Sequence, residues 1–160
     1  MLPAGLTTRG DAYTLRRADE GDVATIVALL AADQLGATRD SADDLAPYIA
    51  AFRAIHADPA QQLLVATAAD GDVVGTMQLT AIPGLARRGA LRMQIEAVRV
   101  HEAHRSTGLG AAMMRWAIDD ARTTGCALVQ LTSDKARTEA HRFYERLGFT
   151  PSHEGFKLML

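Results

Sequence analysis

The densest chemistry of this chain lies in residues 95–111: Ile95-Glu-Ala-Val-Arg-Val100, a short link, then Arg105-Ser-Thr-Gly-Leu-Gly110-Ala111. The apolar run reads as a strand, the two glycines as a turn, and the apolar-periodic residues beyond as a helix start. The first N–H groups of a helix lack partners within it, and the helix dipole adds partial positive charge at that end. Such an entrance holds anions. Gly108 and Gly110 carry no Cβ, so a pyrophosphate can lie close to the main chain. Arg105 adds a permanently charged fork that matches phosphate in shape. The chemistry expected of this turn is the grip of a phosphorylated cofactor.

Other phosphate loops fit less well. A dinucleotide fingerprint runs Gly-x-Gly-x-x-Gly, with an acidic residue downstream, and a P-loop closes on Gly-Lys-Ser/Thr. Neither pattern stands here. A tight turn that merely needs a supple backbone is the bland alternative for the glycines.

The elements that must position this turn follow from periodicity. Residues 1–11, with Pro3, Gly5 and Gly10, read as a flexible leader, and residues 12–160 as a single domain. Tyr13–Arg17 reads as a strand. Asp19 suits the cap of a helix carrying Val23, Ile26, Val27 and Leu30 on one face, and Leu45, Tyr48, Ile49, Phe52 and Ile55 repeat that spacing. Residues 62–68 and 72–80 read as strands joined by Ala-Asp-Gly-Asp. A loop over 82–89 and a long strand over 90–100 come next. The helix after the glycine turn carries Met113, Met114, Trp116, Ala117, Ile118 and Ala121 on one side, a core stripe rather than a binding surface. A strand over 127–132, a helix over Ala140–Leu147 stopped by Gly148, and a final hairpin over 149–160 complete the order. Helices and antiparallel hairpins mix without strict βαβ repetition, which argues against a doubly wound nucleotide fold.

Arg105-x-x-Gly108-x-Gly110 resembles the Arg/Gln-x-x-Gly-x-Gly/Ala motif of the GNAT N-acetyltransferases. Val98-Arg99-Val100 resembles the strand before that motif, and Ala140-His-Arg-Phe-Tyr144-Glu-Arg-Leu-Gly148-Phe149 the family's C-terminal segment. The likeness is firm over residues 91–149 and looser over 13–79. One departure is Arg137, where many members carry Asn. The resemblance implies an α+β fold: a central, mostly antiparallel twisted sheet of six to seven strands, about four flanking helices, and splayed strands around an acetyl-CoA site. It implies acetyl transfer from acetyl-CoA to a primary amine of a small molecule. Peptide acceptors and a non-catalytic acyl-CoA-binding module are the alternatives.

An aliphatic amine is mostly protonated at neutral pH, so such a reaction needs a base, an oxyanion donor and an acid for the departing sulfur. Glu96 is the candidate base. By the period-two count it shares a strand face with Val98, and a carboxylate among Met93, Ile95, Ala97 and Val98 would be costly to bury without a purpose. The resemblance carries the acid to Tyr144, the oxyanion contact to the main chain at Val98, and the pantetheine contact to Val100. It places Arg99, Arg105, Ser106, Thr107, Gly108, Leu109, Gly110, Ala111, Arg137, Ala140 and Phe143 in the cofactor-binding set. Lys135, Arg137 and Arg142 are open between the 3′-phosphate and solvent. Asp33, Asp40, Asp43 and Asp44 suit an acidic acceptor wall, but helix capping explains them more simply.

Composition bounds the rest. A net charge of −2 over 160 residues leaves no basic footprint for nucleic acid. No run approaches the roughly 18 apolar residues of a membrane span. The first residues do not read as a signal peptide. The one cysteine, Cys126, excludes an internal disulfide and fits a reducing compartment, so a cytoplasmic protein is expected. His101 and His104 stand outside any metal-ligand spacing, and no metal is expected. The expected partner is a small amine, with a homodimer left open.

Overall fold

Alternating burial sets the sheet. In β2 (Ala12–Arg17), Tyr13 and Leu15 are buried while Ala12 and Thr14 face out, the pattern of a half-covered strand. β1 (Ala4–Thr7) pairs antiparallel with it and sets Leu6 opposite Tyr13. Those four residues had been expected within a flexible leader. Leu6 is instead buried beside Tyr13, and the turn is closed by the Thr8 hydroxyl, which donates to the Asp11 carbonyl at 2.9 Å. β3 (Gln61–Thr67), β4 (Val73–Ile82) and β5 (Arg92–Val100) extend the sheet antiparallel. β6 (Leu128–Leu131) completes the order β1-β2-β3-β4-β5-β6. The Ala127 N–H meets the Leu91 carbonyl at 2.8 Å and the Gln130 amide meets Gln94 at 2.7 Å. Both strands advance together between these contacts, so β6 runs parallel to β5.

The computed structural model describes residues 1–8, 10–32 and 40–160. These form two compact units, 1–130 and 131–160. The mixed α and β architecture with six strands matches the sequence-based expectation. In the first unit, α1 (Val23–Ala31) and α2 (Ala46–Ala57) join Val23, Ile26, Val27 and Phe52 to Val65 of β3 in one cluster. A four-residue helical segment, α3 (Ala86–Gly89), lies between β4 and β5. α4 (Leu109–Thr123) buries Met113, Met114, Ala117 and Ala121 of the stripe read as core, while Trp116 and Ile118 are half-buried. Gly75 of β4 makes room for it: a Cβ there would stand 3.1 Å from the Met113 sulfur.

The second unit holds α5 (Thr138–Arg146), in which Ala140, Phe143 and Tyr144 are half-buried and no residue is fully buried. Gly148, at φ 92°, ends it. The hairpin expected over 149–160 does not form, and this stretch carries no strand. Pro151 has no N–H for a ladder, and the Ser152 N–H turns back to the Thr150 carbonyl at 2.9 Å. Too little chain remains ahead of that turn to make a first strand.

One ion pair fixes the start of α1 to the sheet. The Asp19 carboxylate accepts from the Gly21 N–H at 2.9 Å, and Asp22 returns the arrangement by accepting from the Asp19 N–H at 2.8 Å, a capping box. Arg16 of β2 reaches the two Asp22 oxygens at 2.7 and 2.9 Å. Burial raises the pKa of the Asp22 carboxyl, but the Arg16 bonds and the Asp19 N–H outweigh it and hold it below the usual carboxylate value. Asp22→Asn is expected to lower stability by about 2 kcal/mol at neutral pH, the scale of hydrogen bonds to a charged group. A carboxyl with a depressed folded pKa stabilises above its unfolded pKa and loses that effect as pH falls through the folded one. The gap between wild-type and variant denaturation midpoints should therefore be full at neutral pH and close in acid.

Candidate active site

The site is built on β5, the turn after it and the entrance of α4. β4 and β5 pair in regular register from Ile82–Arg92 to Gln78–Glu96, then Thr76 pairs with Arg99. One residue of β4, Met77, thus faces two of β5, Ala97 and Val98, a β-bulge. Ala97 absorbs the extra residue at φ 53°, left-handed backbone that a non-glycine residue seldom adopts. Strain of this kind gathers where a strand must present its main chain for use. The bulge corrects the expectation that Glu96 and Val98 share a face, because the period-two count fails across an inserted residue. Glu96 is also exposed, so the burial argument for its role falls away. Ala97, Val98, Arg99 and Val100 are half-buried, and Arg99 turns back to donate to the Val98 carbonyl at 3.0 Å.

Beyond Val100 a single 3₁₀ turn, Glu102–His104, leads into the glycine turn. Arg105 is exposed, and its Nε donates to the Val100 carbonyl at 3.2 Å, which ties the guanidinium to the end of β5. Ser106 takes φ 66° and Gly108 φ 98°. Gly108 is the residue that caps α4, and the first helical bond runs from the Ala112 N–H to its carbonyl at 3.0 Å. The N–H groups of Gly110 and Ala111 therefore lie ahead of the ladder. That of Leu109 meets the Thr107 hydroxyl at 3.3 Å. The Leu109 side chain is buried and offers no surface to a ligand.

A residue the motif reading passed over holds this turn from behind. Tyr13 of β2 is buried, and its hydroxyl lies 3.0 Å from His104 Nδ1 and 3.4 Å from the Thr107 hydroxyl. Thr107 donates in turn to the His104 carbonyl at 2.8 Å. In the sequence Tyr13 is only an apolar position of a strand, and nothing there pairs it with a residue ninety positions away. The remaining site candidates, Arg137, Ala140, Phe143 and Tyr144, lie in the second unit on and just before α5, with Arg137 at its N-terminal boundary.

Several charges are occupied as caps or turns. The Tyr48 hydroxyl donates to Asp40 at 3.2 Å, the Ser41 hydroxyl to Asp43 at 2.8 Å and the Ala46 N–H to Asp44 at 2.9 Å; only Asp44 meets a main-chain N–H at the start of α2, where capping by two or more aspartates was expected. Asp33 lies outside the described residues. Burial, with the Asp120 carboxylate adding to it, raises the Cys126 thiol pKa, which disfavours the reactive thiolate. Among the described residues no cluster of three or more His, Cys, Asp or Glu is placed to hold a metal ion, and no helix is long and apolar enough to cross a membrane. A groove of about 570 Å³, lined in part by Arg17, Gln62, Trp116 and Asp120, shares no residue with β5 or the glycine turn.

Comparison with known proteins supplies the family to which this sheet, its bulged strand and its glycine turn belong. The chain belongs to the acetyltransferase (GNAT) family, whose model matches residues 25–149. It is similar to a crystal structure of a transcriptional regulator from Bacillus halodurans C-125, with 43% identity and a TM-score of 0.89 over 92% of this chain and 99% of that one. It is 35% identical over 63 residues to the aminoalkylphosphonate N-acetyltransferase of Salmonella typhimurium, covering 39% of this chain and 41% of that protein. It is 33% identical over 90 residues to the glucosamine 6-phosphate N-acetyltransferase of Trypanosoma brucei brucei, 56% of this chain and 59% of that protein. The chain thus spans about half the length of these two curated relatives.

Tyr13→Phe removes the bonds to His104 and Thr107 while keeping the ring. It should lower stability by about 1 kcal/mol. Amide hydrogen exchange should quicken at residues 104–109 and stay unchanged in β3 and β4.

Proposed function

We propose that the protein is an acetyl-CoA-dependent N-acetyltransferase acting on a primary amine of a small molecule. The observation that carries the reading is the α4 entrance. There, Arg105 and the open first-turn amides of Gly110 and Ala111 flank a left-handed Gly108, in a chain of the GNAT family. The two N-acetyltransferase relatives are named for small amine-bearing acceptors, which supports this class of substrate.

Acetyl-CoA supplies an acetyl group already activated as a thioester. The amides of Gly108, Gly110 and Ala111, with Arg105, Ser106 and Thr107, hold its pyrophosphate, and the main chain at Val98 and Val100 holds the thioester and pantetheine end. Arg99, Leu109, Arg137, Ala140 and Phe143 complete the cofactor set on the strength of the family motif. Glu96 takes the proton of the amine, directly or through water, which suits its exposed position at the edge of the bulge. The amine nitrogen bonds to the carbonyl carbon, the carbon–sulfur bond breaks, and Tyr144 protonates the departing thiolate.

Glu96→Gln should reduce kcat by about 10²–10⁴-fold with little change in coenzyme A affinity, read by thiol release and calorimetry. Tyr144→Phe should slow turnover at near-normal stability. Gly110→Val is the cleaner probe of the cradle, because a side chain at Gly108 would also strain its φ of 98°. Its expected result is weakened coenzyme A binding at an unchanged denaturation midpoint; full affinity would remove the phosphate role from this turn. A second reading, an acyl-CoA-binding regulatory module, is favoured by the name of the relative from Bacillus halodurans C-125. Tight coenzyme binding without turnover over a broad amine panel would select it.

A further inference from the structure

The hairpin of β4 and β5 carries an unbalanced charge. Residues 73–95 contain Arg87, Arg88 and Arg92 and no aspartate or glutamate. Before the bulge, Arg92, Gln94 and Glu96 alternate onto one face of β5, with Ile82, Thr80 and Gln78 opposite them on β4. The other face of the same strands is apolar, with Met77, Leu79, Met93 and Ile95 buried. The polar face is knitted together. The Gln78 amide and the Thr80 hydroxyl both donate to Gln61, at 2.9 and 2.8 Å, and Gln130 donates to Gln94 at 2.7 Å. Each of these glutamine side chains keeps hydrogen-bonding capacity beyond those contacts.

At the far end of this row from Glu96 stands Arg92. Its Nε is buried with no hydrogen-bond partner, and no carboxylate pairs with its guanidinium among the described residues. Gly84 gives it space, since a Cβ built there would lie 3.3 Å from the Arg92 Nη1. Next to it, Arg87 and Arg88 take φ 56° and 63°, two successive non-glycine residues in left-handed backbone. Both are exposed and neither makes an ion pair among the described residues. A solvated sheet face needs neither an orphaned buried donor nor strained arginines. An oxyanion bound at this end would meet a guanidinium that no carboxylate neutralises among the described residues, and would give the strained arginines a purpose.

We infer that Arg92, supported by Arg87 and Arg88, binds a phosphate or phosphonate group of the acceptor, while Glu96 at the other end of the row receives its amine. This rests on the acetyltransferase reading for the role of Glu96. Four residues of strand separate the two ends, about 13 Å, a span that the arginine side chain and a small phosphorylated amine cover together. The amides of Gln78 and Gln94 and the Thr80 hydroxyl line the path between them, suited to hydroxyl groups of the acceptor.

The test compares ethanolamine and 3-aminopropanol with their phosphate esters, and adds spermidine, in a thiol-release assay with acetyl-CoA. The expected result is a kcat/KM about tenfold or more higher for the esters, the scale of a charged hydrogen bond. Arg92→Gln should erase that preference by raising KM with kcat kept, and Arg92→Lys should restore part of it. Arg87→Asn with Arg88→Asn, which tolerates the left-handed backbone, should weaken it without relying on the half-buried Arg92. Equal kcat/KM for esters and alcohols, a preference for spermidine, or a preference that survives in both the Arg92→Gln and the paired variant would overturn the inference while leaving an acetyltransferase standing. Should no amine be turned over, the acetyltransferase reading fails instead. Calorimetry of the esters on the protein, with and without coenzyme A, then decides: binding lost in Arg92→Gln upholds the anion site, and no binding removes it.

Discussion

Everything at the candidate site depends on a helix beginning without its own supply of hydrogen-bond acceptors. The first turn of α4 leaves main-chain donors pointing ahead of the ladder, and they are useful only if the chain arrives from the right direction. That direction comes from two left-handed residues, Ser106 and Gly108, and from a buried phenol that braces the turn. Tyr13 belongs to the first hairpin of the sheet, and its hydroxyl reaches both His104 and Thr107. The N-terminal strands therefore act at a distance in sequence: they set the aim of amides that belong to the middle of the chain. Arg105 is steadied by the last carbonyl of β5, and among the described residues no carboxylate pairs with it.

The sheet divides its labour by face. Under α4 it is apolar, and Met113 sits so close to β4 that a Cβ at position 75 would crowd its sulfur. That packing gives the helix its rigidity and thereby fixes its entrance. The opposite face, along β4 and β5, is a band of amides and hydroxyls with a carboxylate at one end and a guanidinium at the other. A band of this kind adds little to the core, yet its side chains are held by one another. Order without burial is what a surface needs if it is to meet a polar small molecule at low entropic cost.

Much of this was legible in the chain, and the reasons for the remainder are specific. The glycine turn, the capped first helix and the methionine stripe follow from local spacing, and the structure has all three. Ala4–Thr7 was hidden because a four-residue strand with one buried side chain gives almost no periodic signal; its pairing with β2 is a tertiary choice. The bulge was hidden for the opposite reason. Ala97 is an ordinary strand residue by propensity, and only the register against β4 reveals the extra position. That single residue undid the face argument for Glu96, a reminder that period-two reasoning holds only as far as the ladder is unbroken. Residues 149–160 had the apolar content of a hairpin but not the donors and length to close one.

The bulge also limits how this chain can change in length. Before Ala97 the register is set by pairing with β4, and after Val100 the chain must enter the braced glycine turn. Deleting one residue between those points would turn Arg99 and Val100 over to opposite faces of the sheet. The connection from Pro83 to Ala90 faces no such restriction, being a mostly exposed link between two ladders. Insertions and deletions should accumulate there, so the reach of Arg87 and Arg88 is the part of this protein most readily retuned without disturbing its fold.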